Sequence, residues 1–189
     1  MAAHHLILGT LTDVITGENL DDTLDERHRQ RVAKLLLRDK GYEGQDITAR
    51  FPVTVQAGER RARVPVDFLI RVGGVAGMLI RYGPGSLVTR HRPTLALARL
   101  AAPHTVPVVV VTNGRDADIL SGTDGRILGS GLNAIPTRSD LEALLRHFDF
   151  PKISAERAER ESRIVYAYEV DDSCPCDDTI CRLSGEERE

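Results

Sequence analysis

The sequence predicts an α/β fold in which a mixed sheet carries helices on both faces. Three features point there. A capped amphipathic helix runs from Thr23 to Gly41, and three strand-like runs joined by tight turns follow it. A short helix then leads into Val106–Thr112, an almost uninterrupted β-branched run of the kind found in strands covered on both sides. The order α–β–β–β–α–β, with a crossover helix before the buried strand, requires helices above and below the sheet.

Each element has its local reason. An N-terminal hairpin is expected from His5–Leu8 and Leu11–Ile15, with Thr16-Gly17-Glu18-Asn19 closing the segment. Thr23-x-x-Glu26 is a capping box, Val32, Leu35 and Leu36 form an apolar stripe, and Gly41 ends the helix. Ile47–Val55 alternates, Ala57-Gly58-Glu59 turns, Val64–Val72 returns, and Gly73-Gly74 turns again into Val75–Tyr82. A loop at Gly83-Pro84-Gly85-Ser86 precedes a short helix at Thr94–Ala102. After the buried strand come a hairpin around Asp124-Gly125, a helix opened by Ser139-x-x-Glu142 and reaching about His147, and a charged helix capped by Ser154 and reaching Tyr168. The expected organisation is a hairpin extension (1–22), the α/β core (23–150), a C-terminal helix (151–170) and a Cys-bearing tail (171–189).

Composition narrows the function. The chain has 189 residues and 41% hydrophobic content, enough for one core of ordinary size. Its 25 basic residues are 22 Arg and three Lys (Lys34, Lys40 and Lys152), so positions 41–151 hold no lysine. That excludes a P-loop, Schiff-base or nuclease lysine from the middle of the fold, although a GC-rich genome would produce the same bias. With four Phe, four Tyr and no Trp, base-stacking platforms are not expected. No apolar run is long enough for a membrane span and no signal peptide is visible. Three cysteines without a secretory signal point to a reducing cytoplasm. Net charge is −3, but residues 50–99 carry nine Arg against Glu59 and Asp67. Such a block either forms an anion-binding face or points several ways and pairs with the acidic ends.

Some residues carry a family resemblance. Glu26-x-x-Arg29-Gln30-x-Val32 followed by Lys40-Gly41-Tyr42, then Arg63-Val64-Pro65-Val66-Asp67-Phe68-Leu69-Ile70, then Val111-Thr112-Asn113-Gly114 resemble, in order, segments of the N-terminal nuclease domain of type I restriction enzyme R subunits. The resemblance implies a restriction-endonuclease-like αβββαβ core of the PD-(D/E)xK kind. In that fold a strand Asp and the Glu of a Glu-x-Lys motif hold Mg²⁺, which activates the attacking water, and the Lys orients it. Asp67 matches the strand Asp, and Glu26 the assisting helix acid. The Glu-x-Lys strand instead reads Leu79-Ile80-Arg81-Tyr82-Gly83, placing Arg81 at the Glu position and Gly83 at the Lys position.

This departure governs the expected chemistry. An Arg donates no lone pair to a metal, and at about 5 Å its repulsion of a divalent ion is on the order of several kcal/mol. Mg²⁺ is therefore not expected, and Arg81 is expected to pair with Asp67 or Glu26. A migrated lysine would have to be Lys34, two turns along the helix from Glu26. Around the vestigial site, Arg29, Gln30, Arg63, Gly83, Gly85, Ser86, Arg90, Arg92 and Asn113 are candidates for gripping nucleic-acid phosphate. Their bland readings are a solvated loop, a turn needing positive φ and surface arginines.

Cys174, Cys176 and Cys181 form a C-x-C-x₄-C cluster, soft ligands suited to Zn or Fe if a fourth group joins them; the alternative is a tail with free thiols. Three functions follow as expectations. The first is a stand-alone, catalytically inactive restriction-endonuclease-like domain that binds DNA, another nucleic acid or a protein partner. The second is an active Mg-dependent endonuclease with relocated groups. The third is an interaction or scaffold protein with a metal-binding tail. With no Walker lysine motif in the sequence, the chain is not expected to translocate DNA by itself. A homodimer is compatible with all three.

Overall fold

The computed structural model describes residues 6–171 and 180–183. A two-stranded hairpin, β1 (Thr10–Thr12) and β2 (Asn19–Asp21), leads into α1 (Leu24–Arg38). Next come β3 (Ile47–Ala57), β4 (Arg60–Val72), β5 (Val75–Tyr82), α2 (Val88–Leu100) and β6 (Val108–Thr112). The chain continues through β7 (Ala117–Ser121), β8 (Ile127–Ser130), α3 (Arg138–Leu145) and α4 (Ala155–Val165). A π-helical turn, Tyr166–Asp171, extends α4, and β9 (Cys181–Leu183) returns to pair with Arg61–Arg63 of β4. The seven-stranded sheet runs β3-β4-β5-β6-β7-β8, with β9 attached to β4. Among the described residues only β5 and β6 are parallel, joined by the crossover helix α2. This is the mixed α/β fold that the sequence implies, consistent with the restriction-endonuclease-like class.

Helices α2 and α4 pack one side of the sheet through Leu95, Leu97 and Val165 against Val64, Val66, Leu79 and Val109. Helix α1 and α3 cover the other through Val32, Leu36 and Leu141 against Phe68, Ile70, Met78, Ile80 and Val110. The β3–β4 ribbon contributes to both layers. Ile47 and Ala49 lie on the α1 side, but Phe51, Val53 and Val55, of the same parity, lie on the α2 side. Across the ribbon, Ala62, Val64 and Val66 face α2, whereas Phe68, Ile70 and Val72 face α1. The exchange of faces falls at Arg50, whose φ is 51°, and at Asp67 opposite it. A non-glycine residue in the left-handed region is costly within a strand, so the surroundings must hold it there.

Three local expectations are corrected. The hairpin strands are β1 and β2 rather than the 5–8 and 11–15 runs, because Asp13 accepts the N–H groups of Ile15 (2.8 Å) and Thr16 (3.2 Å) and so closes a turn. Helix α2 starts at Val88 and not at Thr94. Pro93 sits inside the helix; the bond it forgoes would go to the exposed Thr89, where water can replace it. Helix α3 is capped by Thr137 with Asp140 as reciprocal partner, two residues earlier than Ser139-x-x-Glu142. Thr23 caps α1 by accepting from Glu26 N at 3.1 Å, but the Glu26 side chain bonds Gln30 and Arg50 instead of closing the capping box; Ser154 accepts from Arg157 N at 3.2 Å, as its position implies.

An ion cluster fastens α4 to α2. Glu161, 3% exposed, receives Arg99 at 2.7 Å, Arg92 at 2.5 Å and Arg157 at 3.5 Å. Burial works to raise its pKa, but its bonds to Arg92 and Arg99 outweigh that and hold the carboxyl below its ordinary range. A proton therefore prefers the unfolded chain, and the stability from Glu161 is complete above the ordinary carboxyl pKa and lost as pH falls through the lower folded value. Glu161→Gln should lower stability by about 3 kcal/mol at pH 7, with the difference from wild type shrinking as pH approaches 3. Urea midpoints across that range measure it; a constant difference would contradict the assignment.

Candidate functional site

The site forms where α1 crosses the carboxyl ends of the parallel strands β5 and β6, beside the face exchange in β4. Asp67 lies on β4 with its carboxylate buried and fully engaged. Its Oδ1 receives Arg29 Nε at 2.5 Å, and its Oδ2 receives the Tyr82 backbone N–H at 2.7 Å and Arg81 Nη1 at 3.5 Å. Helix geometry brings Arg29 there. Glu26, Gln30 and Ala33 point inward from α1, and Arg29 lies beside them with its guanidinium 5.1 Å from the centre of the Tyr82 ring. Burial opposes the Arg29 charge, but the adjacent Asp67 carboxylate outweighs it and raises the Arg29 pKa above its ordinary value.

Arg81 occupies a gap in the sheet. β5 pairs with β4 from Phe68 onward and β9 pairs with it up to Arg63, so among the described residues the backbone around Pro65 has no strand neighbour on that edge. Pro65 faces Pro52 on the other side, a pairing that neither proline can support with an N–H. Arg81 fills the gap, donating from Nη1 to the Pro65 carbonyl at 2.7 Å and from Nη2 to Glu169 Oε2 at 2.7 Å. Glu169 comes from the π-helical turn after α4, a geometry that recurs at functional positions in proteins.

The network extends to the N-terminal hairpin. Glu26 accepts from Gln30 Nε2 at 2.9 Å and from Arg50 Nη2 at 3.0 Å, and lies 3.6 Å from Arg29. Arg50 also reaches Asp13 at 2.7 Å, and Gln30 accepts the Val14 N–H at 2.9 Å. Asp13, Glu26, Asp67 and Glu169 are each at least nine-tenths buried, and Arg29, Arg50 and Arg81 thread between them. The unusual backbone of Arg50 thus belongs to a residue clamped by two carboxylates, which is what holds it in the left-handed region.

The other sequence candidates are dispersed. Gly83 spends its N–H on the Thr112 carbonyl at 2.9 Å, and the Arg90 side chain lies across it so closely that a Cβ there would meet Arg90 Nε at 2.4 Å. Arg92 is committed to Glu161, and Arg63 is exposed near β9. Gly85 and Ser86 lie in the exposed loop, where Ser86 accepts from Thr89 at 3.1 Å. Asn113 organises its own turn, accepting from Arg115 N at 3.0 Å and Asp116 N at 2.9 Å, while Gly114 takes the positive φ of 80°. Lys34 stands on the exposed face of α1 while Glu26 is buried. Cys174 and Cys176 lie outside the described residues, and Cys181 is exposed with a free thiol. Among the described residues no group of three or more His, Cys, Asp or Glu could hold a metal ion.

Sequence reasoning brings Glu26, Arg29, Gln30, Asp67 and Arg81 into one neighbourhood and misses Glu169, Arg50 and Asp13. For Arg50 a signal exists, since Arg-Phe-Pro interrupts the alternation of its strand. For Glu169 there is none beyond the need of a buried arginine for an anion.

Removing one member of a buried pair strands the other. Arg29→Met should cost about 3 to 5 kcal/mol in urea unfolding. Arg29→Met/Asp67→Asn should be more stable than the sum of the single variants by at least about 1 kcal/mol. Additivity within about 0.5 kcal/mol would show the pair to be energetically idle.

Comparison with known families follows from this geometry. The family described as Type I restriction enzyme R protein N terminus matches residues 24–136, from the first residue of α1 to just before α3. No curated protein and no solved structure matches the chain. Among the described residues no helix is long and apolar enough to cross a membrane. With the match covering more than half of the sequence, Asp67 and its direct partners Arg29, Arg81 and Tyr82 included, the chain belongs to the family of type I restriction enzyme R subunit N-terminal domains.

Proposed function

We propose that this domain keeps the architecture of a restriction nuclease but does not cleave, and that it serves as a nucleic-acid-binding module. The observation that carries the reading is the occupation of Asp67 by Arg29 at 2.5 Å and by the Tyr82 N–H at 2.7 Å, with Arg81 at the position where the family motif has its second carboxylate. A divalent ion at Asp67 would have to displace one of these donors and sit among the guanidinium groups of Arg29 and Arg81. Its remaining ligand would be Glu26, already bonded to Arg50 and Gln30. The residues present do not fit Mg²⁺, and no step of hydrolysis is derived through it.

The same arrangement supplies what a metal supplies structurally. Two guanidinium groups neutralise the buried carboxylates and tie α1, β4, β5 and the segment after α4 into one unit. The fold thus keeps its shape without a dissociable cofactor. Binding is the activity that survives loss of the motif, because phosphate-backbone recognition needs positive charge rather than a metal.

Purified protein incubated with supercoiled plasmid and either Mg²⁺ or Mn²⁺ should leave the plasmid uncut. Metal-dependent nicking or linearisation that disappears in Asp67→Ala would overturn the reading and favour an active nuclease with relocated groups.

A further inference from the structure

We infer that the outer face of α1, not the cleft around Arg81, is the surface on which this domain takes the phosphate backbone of double-stranded DNA. The inference rests on the nucleic-acid-binding reading above and locates it. After Leu24, every exposed residue of α1 is basic: Arg27, Arg31, Lys34 and Arg38. Their spacing of four, three and four residues keeps them in one stripe, about 16 Å long at a rise of ~1.5 Å per residue.

Shallow depressions border the stripe. Two adjoining clefts of about 430 and 380 Å³ lie along it and share Arg31 and Lys34 in their walls. Leu11 and Thr12 of β1 flank the first, and Leu132 flanks the second. Asp22 clamps Arg27 through two bonds of 2.6 and 2.7 Å, but among the described residues no carboxylate forms an ion pair with Arg31, Lys34 or Arg38. Arg115 extends the field, for it and Arg31 together depress the pKa of His28 after the effect of burial.

An ordinary solvated helix face is the bland account. The disposition of the other arginines argues against it. Within the positive block that the sequence displays, Arg50, Arg60, Arg81, Arg92 and Arg99 are all paired with carboxylates. Arg61 and Arg63 of the block stay exposed on β4, two cations against the four in line on α1. No aromatic residue lines either cleft, so the stripe offers no base-stacking platform for a single strand. A straight row of guanidinium and ammonium groups in shallow clefts instead suits the backbone of a duplex.

The test is fluorescence anisotropy with a labelled 20-base-pair DNA duplex, titrated between about 50 and 200 mM salt. Wild type is compared with Arg31→Gln/Lys34→Gln/Arg38→Gln and with Arg146→Gln/Arg160→Gln/Arg163→Gln. The second triple removes equal charge from α4 and the end of α3. The stripe variant should bind at least tenfold more weakly, and the log–log salt slope should fall by about 2.7, the value for three lost phosphate contacts. Arg31→Lys/Arg38→Lys should bind like wild type. Thermal melts of every variant separate loss of binding from loss of fold. Equal binding by wild type and the stripe variant would overturn this location while leaving the binding reading standing. Failure of wild type to bind duplex DNA would overturn both. Tighter binding to anionic lipid vesicles than to DNA would also overturn the inference.

Discussion

The structure depends on one buried carboxylate and the cations that neutralise it. Asp67 sits where the β3–β4 ribbon changes face, under α1 and beside the carboxyl end of β5. An ionised carboxylate in that place would be untenable without strong partners. Arg29 of α1, and Arg81 and the Tyr82 N–H at the end of β5, supply them. The partners of those partners, Glu26, Arg50, Asp13 and Glu169, carry the network from the N-terminal hairpin to the turn that follows α4. Around this node the two hydrophobic layers are otherwise conventional.

Arg81 and Gly83 are both matched by their surroundings. Arg81 is satisfied by a strand gap and a glutamate, and Gly83 gives the room through which Arg90 passes. An arginine simply placed at a metal-ligand position would be left with a desolvated charge. Here its environment is complementary, which is the mark of a settled structure rather than of a damaged site.

Much of the fold is legible in the sequence because it is written in local chemistry. Thr23 and Ser154 announce their helices, Gly73-Gly74 its turn, and Val108–Thr112 a strand covered on both faces. The errors are equally local: an aspartate that turned a strand into a loop, a proline tolerated inside a helix, a cap shifted by two residues. The site is only half legible. Asp67, Glu26 and Arg81 follow from motif positions, but the cation closest to Asp67 is Arg29, and Arg81 makes its short ion pair with Glu169, 88 residues away in sequence. Such partners are chosen by three-dimensional proximity, and neither spacing nor periodicity encodes them. The charge block was legible as composition and misleading as a surface. Five of its nine arginines are paired with carboxylates, and an unbroken row of exposed cations lies instead on the helix that precedes it.

The most direct measurement of the central claim is a crystal structure of the protein grown with Mn²⁺ and phased to show anomalous scattering. The account predicts guanidinium nitrogens of Arg29 and Arg81 beside the Asp67 carboxylate and no anomalous peak there. A manganese ion bound to Asp67, with Arg29 or Arg81 swung away, would contradict it.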